Sequence, residues 1–579
     1  MIAEAVKSSS PASHKIGASV TGAEALILSL LEEGVDTIFG YPGGAIMPIY
    51  DALFHYSEQI NHILVRHEQG ATHAAEGYAR IKNKAGVCFA TSGPGATNLI
   101  TGIADAIMDS CPMVCITGQV PRHLLGTDAF QETDVIGITM PITKWNYQVT
   151  RAEEIPAVLA KAFFVANSGK PGPVLIDITK NAQFEQTIWK GYSPCNSVPG
   201  YLHKPVATDT SLKAAATLIN EASKPYILVG HGVLISKAEK EILAFAEKAG
   251  IPAACTLQGL GAFPPDHILY AGMLGMHGNY GANIKCNECD VMIAVGMRFD
   301  DRVTGDVSRF AKQAKIIHIE IDDAEINKVV RSSVAIHADA KDALTELLPL
   351  VNTANHSAWL EEFKVCDKEE YEKVIMHDLY PKTGQIRMGE IMRHIDEKTK
   401  GQAIIVPDVG QHQMAAARYY HYRQPDSWVS SGGLGTMGFS IPAAFGAKVA
   451  APHREVIAIV GDGCFQMTLQ ELGTICQSKL PVKIVIFNNN YLGMVRQWQQ
   501  LFFENRYSSV ELVNPDFVAI TKGFGIDAEK VTERNELSDA LDRMLLSDKP
   551  YLLEVVVEKE ENVFPMVASG ASCAEIRLE

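Results

Sequence analysis

Short apolar runs recur along this chain, each closed by a glycine-rich or polar turn, and they limit its fold more than any other feature. VDTIF (35–39), HILV (62–65), GVCFA (86–90) and MVCIT (113–117) set the rhythm in the first third, with helix-like stretches between most of them. That alternation argues a parallel α/β sheet. Thr21-Gly22-Ala23-Glu24 reads as a capping box opening the apolar-periodic ALILSLLEEG, with Gly34 where a helix-closing glycine belongs. From Trp189 to Val206 the rhythm dissolves into Pro, Gly and Tyr, as a linker would. A second α/β unit follows with YILVG (226–230), VMIAVG (291–296) and KIIHIEI (315–321). Residues 354–385 are charged and irregular in period, which suggests a connecting segment with some helix. A third unit carries AIIVPDVG, EVIAIVGDG, VKIVIFNNN and YLLEVVVE. At 579 residues the chain is too long for one core. The expectation is an α/β protein of three doubly wound parallel-sheet domains at 19–188, 207–353 and 386–560, with a flexible arm at 1–18 and a tail at 561–579. The first and third share a rhythm without an aligned repeat.

Charge narrows the partners. Lys plus Arg number 51 and Asp plus Glu 67, so the formal charge is 51 − 67 = −16, which disfavours non-specific attraction to nucleic acid or an anionic membrane. No apolar run approaches the roughly 20 residues of a spanning helix. Met1 to Ser19 is Ser-rich, lacks an apolar core and Arg, and carries Glu4, so it resembles neither a secretory signal nor a transit peptide. The eleven cysteines are scattered. Cys286 and Cys289 form a C-x-x-C without a second Cys or His pair at zinc spacing, which points to ordinary thiols in a reducing cytoplasm.

The most informative stretch is EVIAIV-GDGCFQ-MTLQELGTICQS-KLP-VKIVIF-NNN, which reads as one βαβ unit. Asp462 lies just past its first strand and Asn489 just past its second. A right-handed crossover makes those strands parallel, so both residues emerge at the carboxyl edge, where open α/β sheets bind ligands. The Asp462 carboxylate, the Asn489 amide oxygen and a nearby main-chain carbonyl, taken as that of Tyr491, are hard oxygen donors of the kind Mg²⁺ takes. Gly461 and Gly463 let the backbone approach a diphosphate. A bare G-D-G would be a tight βα turn. G-D-G, 24 residues, then Asn488-Asn489 across strand–helix–strand is a thiamine diphosphate signature.

With these motifs the sequence resembles the acetohydroxyacid synthase (acetolactate synthase) catalytic-subunit family from about Thr21 to Gly570. FGYPGGA, RHEQGATHAAEGYAR, TSGPGATN, QVPRHLLGTDAFQETD, LGMHG, GMRFDDRVTG, SSGGLGTMGFSIPAA, GDGCFQMTLQEL and YLGMVRQWQ carry the likeness. The resemblance implies that the first domain binds the aminopyrimidine of the cofactor, the middle one FAD and the third the diphosphate. It assigns Glu68 to the pyrimidine ring nitrogen, in favour of the imino tautomer. A carboxylate with a reference pKa of about 4.3 could not itself take the thiazolium proton. Met437 matches the bulky residue that holds the cofactor bent, Arg302 the guanidinium that receives the carboxylate of the second 2-keto acid, and Trp498 the residue that favours 2-ketobutyrate as acceptor. Phe130, Gln131 and Lys180 match positions near the active-site channel, and Gly44 lies in the YPGGA loop. Val409, Gly410, Gln411 and His412 match the diphosphate loop, and Gly435 the loop beside the pyrimidine.

The middle unit has no G-x-G-x-x-G, so the dinucleotide fingerprint is absent. The residues that match flavin contacts of the family are Gly230, His231, Gly232, Thr256, Leu257, Met276, His277, Arg298, Asp300, Glu320, Ile321 and Asp339. The implied reaction decarboxylates pyruvate and ligates the remainder to a second pyruvate or 2-ketobutyrate. It has no net redox change, so the flavin would be structural or a relic. The resemblance further implies a homodimer or homotetramer and a separate small regulatory subunit. Alternatives are another thiamine enzyme, such as a pyruvate oxidase or a flavin-free fermentative acetolactate synthase, and a non-catalytic flavin-binding scaffold.

Overall fold

Unbroken β-branched runs need cover on both faces, and parallel sheets flanked by helices supply it. The computed structural model describes residues 16–579 and contains three such sheets. The expectation for the arm at 1–18 falls mostly on 1–15, outside the described residues. The chain divides into two compact units, with the boundary between Tyr201 and Leu202.

The first unit holds β1 (Ser19–Thr21), β2 (Thr37–Gly40), β3 (Asn61–Leu64), β4 (Gly86–Ala90), β5 (Met113–Gln119), β6 (Trp145–Val149), β7 (Pro173–Thr179) and β8 (Gln186–Ile188). Six of them form one sheet in the order β3-β2-β4-β5-β7-β6, every neighbouring pair parallel. β1 and β8 make a separate antiparallel pair. Every residue of β2, β4, β5 and β7 is buried. The helix Gly22–Glu32 starts on the expected capping box, with Glu24 N–H donating to Thr21 Oγ1 and Thr21 N–H to the Glu24 carboxylate. Gly34 takes φ +70°, a conformation glycine adopts without a Cβ penalty.

The second unit holds two sheets. β9 (Pro225–Val229), β10 (Ala253–Cys255), β11 (Tyr270–Met273), β12 (Val291–Val295), β13 (Lys315–Glu320) and β14 (Val334–His337) run parallel in the order β11-β10-β9-β12-β13-β14. Numbered within the sheet, that is 3-2-1-4-5-6, the order of dinucleotide-binding folds, whose ligand crevice opens where the order reverses. β15 (Ile404–Pro407), β16 (Val456–Gly461), β17 (Lys483–Asn488), β18 (Asp527–Val531) and β19 (Tyr551–Val556) form the third sheet, β15-β16-β17-β19-β18, again all parallel.

The segment at 354–385 is more regular than expected. A helix runs Ser357–Glu370, continues through a wide π turn at Tyr371–Ile375 and ends at Leu379. Its buried stripe, Trp359, Phe363, Cys366, Glu370 and Val374, has helical spacing, but the stripe is narrow and charged residues crowd around it. Trp359 Nε1 donates to Pro225 O at 2.9 Å. Glu370 accepts from Asn279 Nδ2, Tyr280 N and, at 2.5 Å, from Arg418 Nη2, and this ion pair is almost solvent-free. Arg418 belongs to the helix after β15 and also donates to the carbonyls of His277 and Gly278, so the pair joins the second and third sheets. Removing either partner would strand a buried charge at a cost of about 3–5 kcal/mol. The residues at 561–579 also pack within this unit. Val567 N–H donates to Met276 O, and Cys573 is buried in the core beside β12.

Candidate active site

β16 and β17 are adjacent and parallel, so the turns that follow them meet at one edge. Asp462 follows β16 and is 2% exposed; burial pushes its carboxyl up to about 6. Its Oδ1 accepts from Gly463 N at 3.1 Å and its Oδ2 from Asn514 Nδ2 at 2.7 Å. Past β17, Asn489 turns its amide oxygen onto Tyr491 N–H at 3.0 Å, and its Nδ2 approaches Gln411 Oε1 at 3.5 Å. Antiparallel pairing pins this loop: Leu512 N–H donates to Asn490 O and Leu492 N–H to Val510 O. That ladder does not use the Tyr491 carbonyl. The edge therefore gathers a carboxylate, an amide oxygen and a main-chain carbonyl, a donor set suited to a hard cation with phosphate oxygens.

The loop after β15 comes to the same edge. Asp408 is fully buried and accepts from the backbone N–H groups of Val409, Gly438 and Ser440 at 2.9, 2.9 and 3.0 Å, which ties the VGQH loop to the GTMGF loop. Gly410 has φ +149° and opens the helix Gln411–Tyr419. Gln411 Nε2 donates to Gln497 Oε1 at 2.9 Å and to Glu561 O at 2.7 Å. His412 is buried, its Nε2 has no protein partner, and desolvation pushes its pKa down to about 3, so it is a neutral imidazole. A Cβ on Gly461 would stand 2.8 Å from the His412 ring, and one on Gly463 2.8 Å from Leu492 Cδ2 and 3.9 Å from Met437 Cε. Gly435, at φ +72°, is exposed, and a Cβ there would meet only Val409 Cγ1, at 3.9 Å. An orphaned buried nitrogen and glycines too close for side chains fit a diphosphate cradle.

The first unit builds its own edge. Glu68 opens the helix Glu68–Lys82 four residues past the end of β3 and is buried. Asn98 Nδ2 donates to Glu68 Oε2 at 3.0 Å, and a Cβ on Gly95 would stand 3.2 Å from Glu68 Oε1. Ala45 N–H donates to Thr91 Oγ1 at 3.1 Å, which fastens the YPGGA loop to the TSGPG turn after β4. Gln131 has φ +60°, and its carbonyl would lie 2.7 Å from a Cβ on Gly93. Lys180 opens the helix directly after β7, from which Gln183 donates to Ala45 O at 2.8 Å. Gly44, Glu68, Gln131 and Lys180 are thus collected at one carboxyl edge. Gly44 is exposed, and nothing lies within 4 Å of a Cβ built on it. Phe130 is 88% exposed.

On the second sheet, the residues matched to flavin contacts come from the carboxyl ends of all six strands. Gly230, His231 and Gly232 follow β9, Thr256 and Leu257 β10, Met276 and His277 β11, and Arg298 and Asp300 β12. Glu320 and Ile321 close β13, and Asp339 follows β14. The reversal point lies between β9 and β12. There a Cβ on Gly230 would strike Gly296 O at 2.2 Å, and one on Gly232 Gly296 Cα at 2.7 Å. His277 is buried with Nε2 unpartnered, and burial pushes its pKa down to about 4. A crevice built from backbone and an orphaned imidazole fits a dinucleotide, although the glycine fingerprint is missing. Asp300 and Asp339 cap short helices, and Glu320 accepts from Ile321 N and Asp322 N. Arg302 is exposed, with Nη1 3.7 Å from Met276 Sδ. Trp498 lies in the helix Gly493–Phe502 with its ring 5.2 Å from that of Phe502. Arg302 and Trp498 are held by different neighbours. Cys286 and Cys289 are buried thiols that donate to Ala282 O and Cys286 O.

Sequence reasoning missed Asp408, Asn98, Gln466 and Asn514. Asp408 stands inside a quoted strand and could have been found as a carboxylate at a strand end. The others are amides in turns and helices whose spacing announces nothing.

Three protein-family models match in tandem: the N-terminal TPP binding domain of thiamine pyrophosphate enzymes over 20–138, their central domain over 212–347, and their C-terminal TPP binding domain over 408–555. The three sheets and their edges are those of a thiamine pyrophosphate enzyme. Among curated proteins, the acetolactate synthase large subunit of Parasynechococcus marenigrum is 48% identical, covering 96% of this chain and 91% of its own. The acetolactate synthase isozyme 2 large subunit of Escherichia coli is 46% identical over 96% and 99%, and the large subunit of Lactococcus lactis 44% over 97% of each. The chain belongs to the acetolactate synthase large-subunit family and is an enzyme of that kind. Among the described residues no helix is long and apolar enough to cross a membrane.

Proposed function

We propose that this enzyme decarboxylates pyruvate and joins the two-carbon remainder to a second pyruvate or to 2-ketobutyrate. The products are 2-acetolactate and 2-aceto-2-hydroxybutyrate, in branched-chain amino-acid biosynthesis. The observation that carries this reading is the pair of turns after β16 and β17, which set Asp462 and Asn489 beside a glycine cradle and an unpartnered His412.

When bound, thiamine diphosphate accepts the electron pair released as carbon dioxide leaves. Asp462, Asn489 and the Tyr491 carbonyl would hold Mg²⁺, and Val409, Gly410, Gln411, His412, Gly461 and Gly463 would line the diphosphate. In the first unit Glu68 would hold a proton at the pyrimidine ring nitrogen and Gly44 would leave that ring room; in the second, Gly435 matches the family's loop for the same ring. Met437 would serve as the bulky wall that brings reacting groups within the about 3–3.5 Å a proton transfer needs. Arg302 presents an always-charged fork to the acceptor carboxylate. Trp498 walls the acceptor side chain, and Gln131 and Lys180 stand at the channel. The crevice of the second sheet, with Gly230, Gly232 and His277, would hold FAD in a structural role. The divisions are 19–188 for the pyrimidine, 207–353 for the flavin and 386–560 for the diphosphate. Catalytic subunits pair at least as dimers, and a small regulatory subunit joins them, as the relatives' name "large subunit" suggests. Eleven free thiols suit the cytoplasm.

The test is product analysis with pyruvate and 2-ketobutyrate, omitting thiamine diphosphate, Mg²⁺ and FAD in turn. Both acetohydroxy acids should form only with all three. Reduction of a quinone, or full activity without FAD, would reassign the chain to one of the other thiamine enzymes. No carbon dioxide from pyruvate in the complete mixture would reject catalysis.

A further inference from the structure

Asn514 stands in an irregular turn between two exposed neighbours, Val513 and Pro515, with its own side chain turned inward. Its Nδ2 donates twice, to Asp462 Oδ2 at 2.7 Å and to Asn488 Oδ1 at 3.0 Å. Its Oδ1 accepts from Gln466 Nε2 at 3.0 Å, and the same Gln466 nitrogen lies 3.2 Å from Asp462 O. The amide orientation is fixed by chemistry, since a flipped amide would set oxygen against the Asp462 carboxylate. One side chain thus crosslinks the turn after β16 to the end of β17. The link continues: Asn488 Nδ2 donates to the buried Glu554 at 2.7 Å, which pairs with Lys530 at 2.8 Å.

We propose that Asn514, clamped by Gln466, is a positioning residue that orients the Asp462 carboxylate and sets its distance from Asn489 for metal binding. Asn489 follows Asn488 directly, so holding Asp462 against Asn488 fixes both donors relative to each other. The other groups that donate to Asp462 are main-chain N–H groups of the turns, those of Gly463 and Asn490, so Asn514 is the side chain that orients the carboxylate. Partners that orient a ligating carboxylate typically contribute 10–100-fold in metal affinity. The proposal rests on reading Asp462 and Asn489 as the metal donors.

The experiment measures Mn²⁺ affinity of the full-length, flavin-loaded protein with thiamine diphosphate present, from the electron paramagnetic resonance of free Mn²⁺. Asn514→Ala and the isosteric Asn514→Asp should each weaken Mn²⁺ binding about 10–100-fold. Gln466→Ala should weaken it by a smaller factor, because Asn514 keeps its donors and loses only its clamp. Flavin content should not change in any of them, which separates positioning from general collapse. Asp462→Asn is the control. If it loses Mn²⁺ while both Asn514 variants and Gln466→Ala bind as before, the positioning role is overturned and the metal site stands. If Asp462→Asn binds Mn²⁺ normally, the metal reading itself falls and takes this inference with it.

Discussion

The first and third sheets are built on one plan and carry different chemistry. β2-β4-β5-β7-β6 and β15-β16-β17-β19-β18 have the same order and the same parallel sense, and the first sheet adds β3 outside β2. In the third sheet the polar groups follow two central strands, so Asp462 and Asn489 are buried and braced from both sides. In the first, the acid follows the added edge strand, and of the glycines in the neighbouring turns Gly93 and Gly95 are packed against protein atoms while Gly44 has open space in front. A shared plan thus fixes where ligands bind and leaves open what the edge does with them. One edge is made to grip and the other to touch.

The largest effect should expose that division. Glu68→Gln should slow acetohydroxy acid formation about 10²–10⁴-fold, the usual range for losing a proton-handling group. Thiamine diphosphate with Mg²⁺ should still raise its melting temperature, because the residues matched to the diphosphate all belong to the third sheet. Asp462→Asn should lose the rate and the cofactor-induced rise together. Rate measurements and thermal shifts on both variants decide it. A Glu68→Gln protein that no longer senses the cofactor would make the two edges equivalent.

Two glycines sharpen the contrast. A methyl at Gly44 meets no protein atom, so Gly44→Ala should leave the cofactor-free protein within about 0.5 kcal/mol of the parent. The methyl would instead occupy ligand space, and thiamine diphosphate should bind roughly tenfold more weakly, the lower end of an overpacking cost of about 1–3 kcal/mol. Gly232→Ala drives its methyl against Gly296 Cα and should pay the same cost in folding and flavin retention. Melting temperatures with and without each cofactor separate the two. If Gly44→Ala binds the cofactor like the parent, the open edge does not face it.

The legibility of these edges in the sequence follows from burial. VIAIVG and KIVIFN are buried throughout, so β16 and β17 read as unbroken apolar runs and the polar residues after them stand out. β7 escapes, although fully buried, because Asp177 interrupts PVLIDIT. Thr117, Gln119 and Gln148 donate to that carboxylate, and burial still pushes it up to about 6. β18, DAEKV, buries only Ala528 and Val531 at the sheet edge and has no apolar run to announce it. The helix at 357–379 hides among charges for the same reason. Asp462 and Asn489 are legible because one βαβ unit separates them, whereas Asn514 reaches Asp462 from 52 residues away through a turn without periodicity.

Trp498 offers a smaller, selective effect. Its ring is half-buried against Phe502 on an amphipathic helix whose Arg496 and Gln497 are buried. Trp498→Leu should lower the preference for 2-ketobutyrate over pyruvate as acceptor by about tenfold, within the 1–3 kcal/mol that one methylene contributes. Pyruvate consumption should fall less. Competition between both acceptors in one reaction measures the ratio, and an unmoved ratio would remove Trp498 from specificity.

The smallest effect concerns stability, and each unit contains a group that can show it. Glu561 in the second unit and Asp105 in the first are both pushed up to about 8, in each case first by burial and then by a neighbouring carboxylate, Asp378 and Glu76 respectively. In the unfolded chain both titrate near 4. Between about pH 4 and 8 the folded protein therefore keeps protons that the unfolded chain releases. The stabilisation from these groups is complete below the lower value and is lost as pH rises through the upper one. Glu561→Gln stays neutral at every pH, so its melting temperature should match the parent near pH 5 and exceed it by a few degrees at pH 9, about 2–4 °C for each kcal/mol. Asp105→Asn should change in the same direction. Its gain should be of similar size, because burial and Glu76 carry it to about 8 even with His73, 3.9 Å away, and Arg80 favouring the ionised form. Melting curves of both variants from pH 5 to 9 test this, and an Asp105 variant without a gain at pH 9 would mean that those cations outweigh burial in the first unit.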